Sequence, residues 1–233
     1  MNTAMKPSLS SPPPRPIRAV DLQVSLLEGN DRQAAQNRRR FRELGLTAFN
    51  LVSSPGSGKT ALLERTLAEF GQTTPCAAVV GDLATDRDAQ RLGRFGAPVS
   101  QITTGAACHL DAGMVGRAVD RLGLSGTRIL FIENVGNLVC PASFDLGESR
   151  RVVLLSAAEG EDKPLKYPPI FKSADIVLIT KVEVAGVLGF DRAAAAENIR
   201  RIAPQAVLIE LSSRSGEGLA LWYEWLDAQL PGG

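Results

Sequence analysis

The chain has 233 residues, 44% hydrophobic and 22% charged, a balance that excludes a mainly disordered chain and suffices for one generous α/β domain or two small ones. Its net charge of +1 gives nucleic-acid binding no global electrostatic support, and apolar runs such as VVLLSAA and DIVLI are too short to cross a bilayer. Three cysteines, odd in number, make a poor disulfide framework, and the opening MNTAMKPSLSSPPPRP has no apolar signal core, so a reducing, cytoplasmic setting is expected.

Residues 1–20 read as a disordered Pro/Ser-rich tail and 21–233 as a single domain opening on a basic helix. That helix is expected over about 24–44. Its Arg32, Arg38, Arg39, Arg40 and Arg42 suit either a solvated face or a partner-docking surface. From Ala48 short β-rich runs alternate with helical stretches. Strands are expected at 48–53, 77–82, 99–104, 128–134, 152–157, 175–181 and 206–212, and helices at 59–70, 86–95, 111–122, 192–202 and 218–230. Strands apolar on both faces belong to sheets covered on both sides. The expected fold is therefore α/β, a doubly wound, mostly parallel sheet with helices on both faces.

The strongest motif is SSPGSGKT, Ser53 to Thr60, which leaves an apolar strand and opens a helix, the context a phosphate-binding P-loop requires. Ser54, Gly56, Ser57 and Gly58 would turn backbone N–H groups onto phosphate oxygens. Lys59 would reach the β/γ-phosphates and the Thr60 hydroxyl would ligate Mg²⁺. Ser53 stands where the general pattern has glycine.

Mg²⁺ needs acidic help from neighbouring strand ends. Glu133, closing RILFIEN, occupies the Walker-B position. Asp82 ends an earlier strand and Asp88 follows it; either would hold Mg²⁺ through water or orient an attacking water, whereas Thr85 or Asp86 would cap the next helix.

A late strand exits into Thr180, Lys181 and Glu183, where P-loop GTPases carry N-K-x-D. Glu183 would accept two hydrogen bonds from guanine at one methylene more than Asp, and Thr180 cannot copy the Asn amide. Ser212 and Ser213, after the last strand, would offer a backbone N–H to the base; Ser213 or Ser215 would serve equally as a helix cap.

Cys108 and His109, the only histidine, stand side by side before a helix, and Cys140 follows Asn134 by six residues. Thiolate and imidazole suit Ni²⁺ or Zn²⁺. Cys76 reads as a small apolar core residue.

In this order, SSPGSGKT, GDLATDRDA, TTGAACHLDAGMV, FIENVGNLVCPASFDLGE, EGEDKPLKYP and LSSRSGEG resemble the HypB family of hydrogenase nickel-incorporation GTPases, over about 41–230. The related urease-accessory GTPases carry Cys-Pro-His, whereas here Cys and His are adjacent. The resemblance implies a P-loop GTPase of the dimerising SIMIBI class, binding GTP/GDP and Mg²⁺ and hydrolysing slowly as a switch. It implies a Ni²⁺ or Zn²⁺ site of Cys108, His109 and Cys140 near a homodimer interface, with Lys163 or Lys166 approaching nucleotide across it. It further implies Ni²⁺ delivery to a hydrogenase large-subunit precursor, with a HypA-type nickel chaperone and SlyD as partners, and neither nucleic acid nor membrane. Two features depart from the family: residues 1–20 lack its Cys- or His-rich nickel motif, and N-K-x-D reads TKVE. Two further readings are a divergent nucleotide-binding paralogue with weak or no turnover and an ATP-dependent small-molecule kinase; the kinase leaves the Cys/His set unexplained.

Overall fold

The computed structural model describes residues 19–231, with side chains from residue 25 onward. The N-terminal helix α1 is Ala19–Glu43. It starts earlier than expected and takes in the last two residues assigned to the tail; residues 1–18 lie outside the described residues. There follow β1 (Thr47–Ser53), α2 (Lys59–Glu69), β2 (Cys76–Asp82), α3 (Arg87–Gly93), β3 (Val99–Thr103), α4 (Ala112–Val119) and β4 (Ile129–Glu133). The second half has β5 (Arg150–Ser156), α5 (Lys163–Lys166), α6 (Pro168–Lys172), β6 (Ile176–Thr180), α7 (Ala185–Leu188), α8 (Arg192–Ile202), β7 (Val207–Glu210) and α9 (Leu219–Asp227).

All seven strands join one sheet in the order β3-β2-β4-β1-β5-β6-β7. Every pairing is parallel, so the sheet is wholly parallel where mostly parallel was expected. The alternation of residues along β1 explains the double cover. Phe49 and Leu51 face a core containing Leu62 and Leu67 of α2, Leu92 of α3 and Trp222 of α9. On the opposite face Ala48 meets Phe41 of α1 and Val115 of α4. Val52 meets Phe171 of α6 and Ile199 of α8. Helices thus cover both faces, and β1, β4 and β6 are buried throughout.

Because the strands run one way, their C-terminal ends share one edge. Leu51 pairs with Glu133, Val80 with Glu133, and Ser156 with Thr180. The chain reverses its winding direction around β1, and ligands of open α/β sheets bind outside the carboxyl ends at that switch point. Among the described residues no helix is long and apolar enough to cross a membrane.

Candidate functional site

The loop from β1 to α2 is shaped by its glycines. Gly56 and Gly58 have φ of 75° and 97°, a region side chains resist, and this turns the loop around the N-terminus of α2. It borders a cleft of about 500 Å³ at the C-terminal edge of the sheet. Lys59 is buried, and its Nζ donates to Ser53 Oγ at 2.9 Å. The serine in the usual glycine position therefore holds the lysine. Burial pulls the Lys59 ammonium below its usual pKa, opposed by the charges of Glu133, Asp88 and Glu159.

Opposite Lys59, Thr60 Oγ1 donates to Glu133 Oε1 at 2.7 Å. Glu133 Oε2 is buried and has no hydrogen-bond partner among the described residues. Burial holds the carboxyl up at about 7, against the pull of Lys59 and the Thr60 bond. A buried hydroxyl beside a buried carboxyl whose second oxygen is unsatisfied makes a pair of hard-oxygen side chains that fits Mg²⁺.

Asp82 and Asp88 both border the cleft. Asp82 Oδ1 accepts from the Ala84 and Thr85 amides at 2.9 and 2.8 Å, which holds its carboxyl below the usual range. Asp88, in the first turn of α3, pairs with Arg91 at 3.0 Å, and Arg91 also clasps Glu64 of α2. The expected cap of α3 is corrected: Asp86 occupies the N-cap, but its carboxylate accepts from the Gln90 side chain instead of a backbone amide.

The TKVE loop is tied to the P-loop. Thr180 Oγ1 donates to the Ser57 carbonyl at 2.7 Å, so a hydroxyl makes a link not expected of it. Lys181, in the left-handed region at φ 59°, donates Nζ to the Gly56 carbonyl at 2.7 Å. Glu183 is exposed beyond them. Ser212 is buried and its Oγ accepts from the Arg214 and Ser215 amides, while Ser213 is partly exposed beside it. The N-cap of α9 is Gly218, so the capping expected of Ser213 or Ser215 is corrected: Ser212 organises the turn. Glu159 was missed. Its Oε1 accepts from Ser57 Oγ at 2.5 Å, beneath the P-loop, and the Ser156–Glu159 capping box was its sequence signal. Arg91 was missed too, and nothing in its sequence neighbourhood distinguishes it from a surface arginine.

A second cluster lies at the same sheet edge. The donor atoms of Cys108, His109 and Cys140 all lie within 4.8 Å of one another. The Cys108 and Cys140 Sγ atoms are 2.8 Å apart, and His109 Nδ1 is 3.8 Å from Cys108 Sγ. The imidazole lies tilted by 31° against the Phe144 ring at 3.9 Å between centroids, and burial lowers its pKa, favouring the neutral ring that ligates metals. The hydrogen bond to Cys140 raises the Cys108 thiol. Soft sulfur and imidazole donors at this spacing fit Ni²⁺ or Zn²⁺. Cys76 is apart from them, buried in the core with its thiol pushed up to about 12.

Residues 47–210 match the family model described as the CobW/HypB/UreG nucleotide-binding domain. The chain is 52% identical to the hydrogenase maturation factor HypB of Azotobacter chroococcum over 213 residues, 91% of this chain and 70% of the relative. The solved HypB of Archaeoglobus fulgidus superimposes with a TM-score of 0.82 at 40% identity, covering 87% of this chain and 99% of the other. Helicobacter pylori HypB, solved in complex with nickel, gives 0.82 at 42% identity, covering 86% and 94%. With this sequence identity and this shared architecture, the chain belongs to the HypB family of hydrogenase maturation factors.

Proposed function

We propose that residues 21–233 act as one GTP-binding, slowly GTP-hydrolysing unit that delivers Ni²⁺ for [NiFe]-hydrogenase maturation and is switched by nucleotide-dependent homodimerisation. One observation carries this reading. Segment 133–140 begins at the buried carboxylate of the phosphate cleft and ends at a cysteine of the thiolate–imidazole cluster. A kinase would have no use for the second cluster.

In this reading Lys59 exchanges Ser53 Oγ for nucleotide phosphate, and the P-loop amides of Gly56, Ser57 and Gly58 complete the cradle. Thr60 and Glu133 would hold Mg²⁺, with Asp82 or Asp88 reaching it through water; when bound, the ion neutralises phosphate charge. Asp82 or Asp88 orients the attacking water. Glu183 reads guanine from a loop that Thr180 and Lys181 fix to the P-loop, and Ser212 and Ser213 supply the facing turn. Cys108, His109 and Cys140 carry the nickel cargo, a reading supported by the relative solved with nickel. Family membership supports a HypA-type chaperone, SlyD and a hydrogenase large-subunit precursor as partners, acting in the cytoplasm.

The test is metal analysis after equilibrium dialysis. Wild type should retain about one Ni²⁺ or Zn²⁺ per chain, and the Cys108→Ala/Cys140→Ala double variant should lose it while still binding a fluorescent GDP analogue. Full metal retention by the double variant overturns the reading.

A further inference from the structure

Residues 30, 34, 37 and 41 share one stripe of α1, because helical neighbours recur every three or four positions. Ala34 and Phe41 of that stripe are buried apolar residues, but Asn30 and Asn37 are buried as well. A buried amide is costly unless it finds hydrogen-bond partners. Both asparagines find theirs in the two loops that carry the thiolate–imidazole cluster.

The first loop runs from Cys108 and His109 into α4. The amide of Ala112 donates to Asn30 Oδ1 at 2.9 Å, and the Ala112 carbonyl accepts from Asn37 Nδ2 at 2.7 Å. The second loop follows Cys140. There the Asp145 carbonyl accepts from Asn30 Nδ2 at 2.8 Å, and the Leu146 carbonyl accepts from Asn37 Nδ2 at 2.9 Å. Each asparagine therefore spans both loops, which one side-chain amide can do because it carries two donor hydrogens and an acceptor. Arg38, the next residue of α1, donates to both carboxylate oxygens of Asp145 at 2.7 Å. Glycines let the loops come this close. A Cβ on Gly147 would stand 2.6 Å from the Ala34 carbonyl oxygen, and one on Gly116 would stand 2.9 Å from Asn37 Oδ1.

The grip reaches the metal donors through Phe144. That residue directly precedes Asp145, and its ring is the wall against which the His109 imidazole lies. Outer contacts of this kind aim metal-binding side chains, and losing one typically lowers metal affinity 10–100-fold.

We propose that α1 is a clamp that fixes the two donor loops against each other, with Asn30 and Asn37 as positioning residues for a metal held by Cys108, His109 and Cys140. This inference rests on the metal site proposed above. It makes metal affinity depend on an element that supplies no donor to the cluster and no lining residue to the nucleotide cleft.

The experiment titrates the full chain with Ni²⁺ alone, followed by thiolate-to-nickel charge-transfer absorbance. Asn30→Ala and Asn37→Ala should each weaken Ni²⁺ binding at least about 10-fold and shift the absorbance band, while a fluorescent GDP analogue binds within about 2-fold of wild type. Trp222→Phe, in the core on the opposite face of the sheet, is the stability control and should bind Ni²⁺ within about 2-fold of wild type. Where the asparagine variants do not fold, Arg38→Ala decides: its side chain is partly exposed, and its loss should weaken Ni²⁺ binding at least about 3-fold. Wild-type Ni²⁺ affinity in the deciding variants overturns the clamp, and so does a loss that Trp222→Phe matches. A nickel signal that is absent from wild type, or unaffected by Cys108→Ala, instead overturns the metal site itself and the clamp with it.

Discussion

Glu133 concentrates the chemistry of the phosphate cleft in one side chain. Its carboxyl is held at about 7 by burial, from a usual 4.5. In the unfolded chain it ionises near 4.5, so between these values the folded state binds more protons than the unfolded state. The contribution of Glu133 to stability is therefore greatest below pH 4.5, falls as pH rises to 7, and is level above that. The loss is about 3 kcal/mol over the window. Glu133→Gln keeps an acceptor for Thr60 and removes the ionisation. In nucleotide-free protein with a chelator, urea unfolding at pH 5 and pH 7.5 should show the variant gaining stability relative to wild type at the higher pH. An equal difference at both values would mean that burial does not strain the carboxylate. The motif residues of this site were legible because phosphate and cation binding demand particular residue types at fixed spacing. Thr180 and Asn37 were not legible as ties, since each acts on a carbonyl far away in sequence. Glu183 is exposed beyond the Thr180 tie.

At the scale of elements, all seven expected strands appear; the five inner ones are buried almost throughout, where an apolar run bounded by turn residues is unambiguous, while the edge strands β3 and β7 are only partly buried. The short helices α5, α6 and α7 were missed: one turn carries no 3.6-residue pattern, and Pro164, Pro168 and Pro169 read as breakers when they occupy first-turn positions. The pairing of α9 with α2 was likewise invisible, being a contact between distant segments. Trp222 is fully buried there, and its Nε1 donates to Thr66 Oγ1 at 3.0 Å. Trp222→Ala should cost about 3–5 kcal/mol. Trp222→Phe keeps part of the ring volume and leaves the Thr66 hydroxyl its own donation to the Leu62 carbonyl, so it should cost about 1–2 kcal/mol. Urea midpoints at constant m-value separate the two; equal costs would mean that α9 is anchored elsewhere.

The whole molecule presents both proposed sites on one edge of one sheet, and that edge also exposes apolar side chains. Leu83, bordering the nucleotide cleft, is 47% exposed, and Val139, beside Cys140, is 62% exposed. In the dimer proposed above, these two apolar side chains lie on the edge that a second copy would cover. A second copy would bury Val139 and bring a second Cys108–Cys140 pair to the first. An interface next to the nucleotide cleft answers to its occupant, since a ligand stabilises whichever assembly binds it better. Sedimentation of the chain without nucleotide should report mainly monomer, and a non-hydrolysable GTP analogue with Mg²⁺ should shift it to dimer. Lys59→Ala should stay monomeric under both conditions because it loses the nucleotide. Val139→Asp should bind the analogue as wild type does but dimerise at least about 10-fold more weakly, since two carboxylates would be buried at the contact. Dimerisation of Val139→Asp at wild-type strength would move the interface off this edge, and the metal cluster would then belong to a single chain.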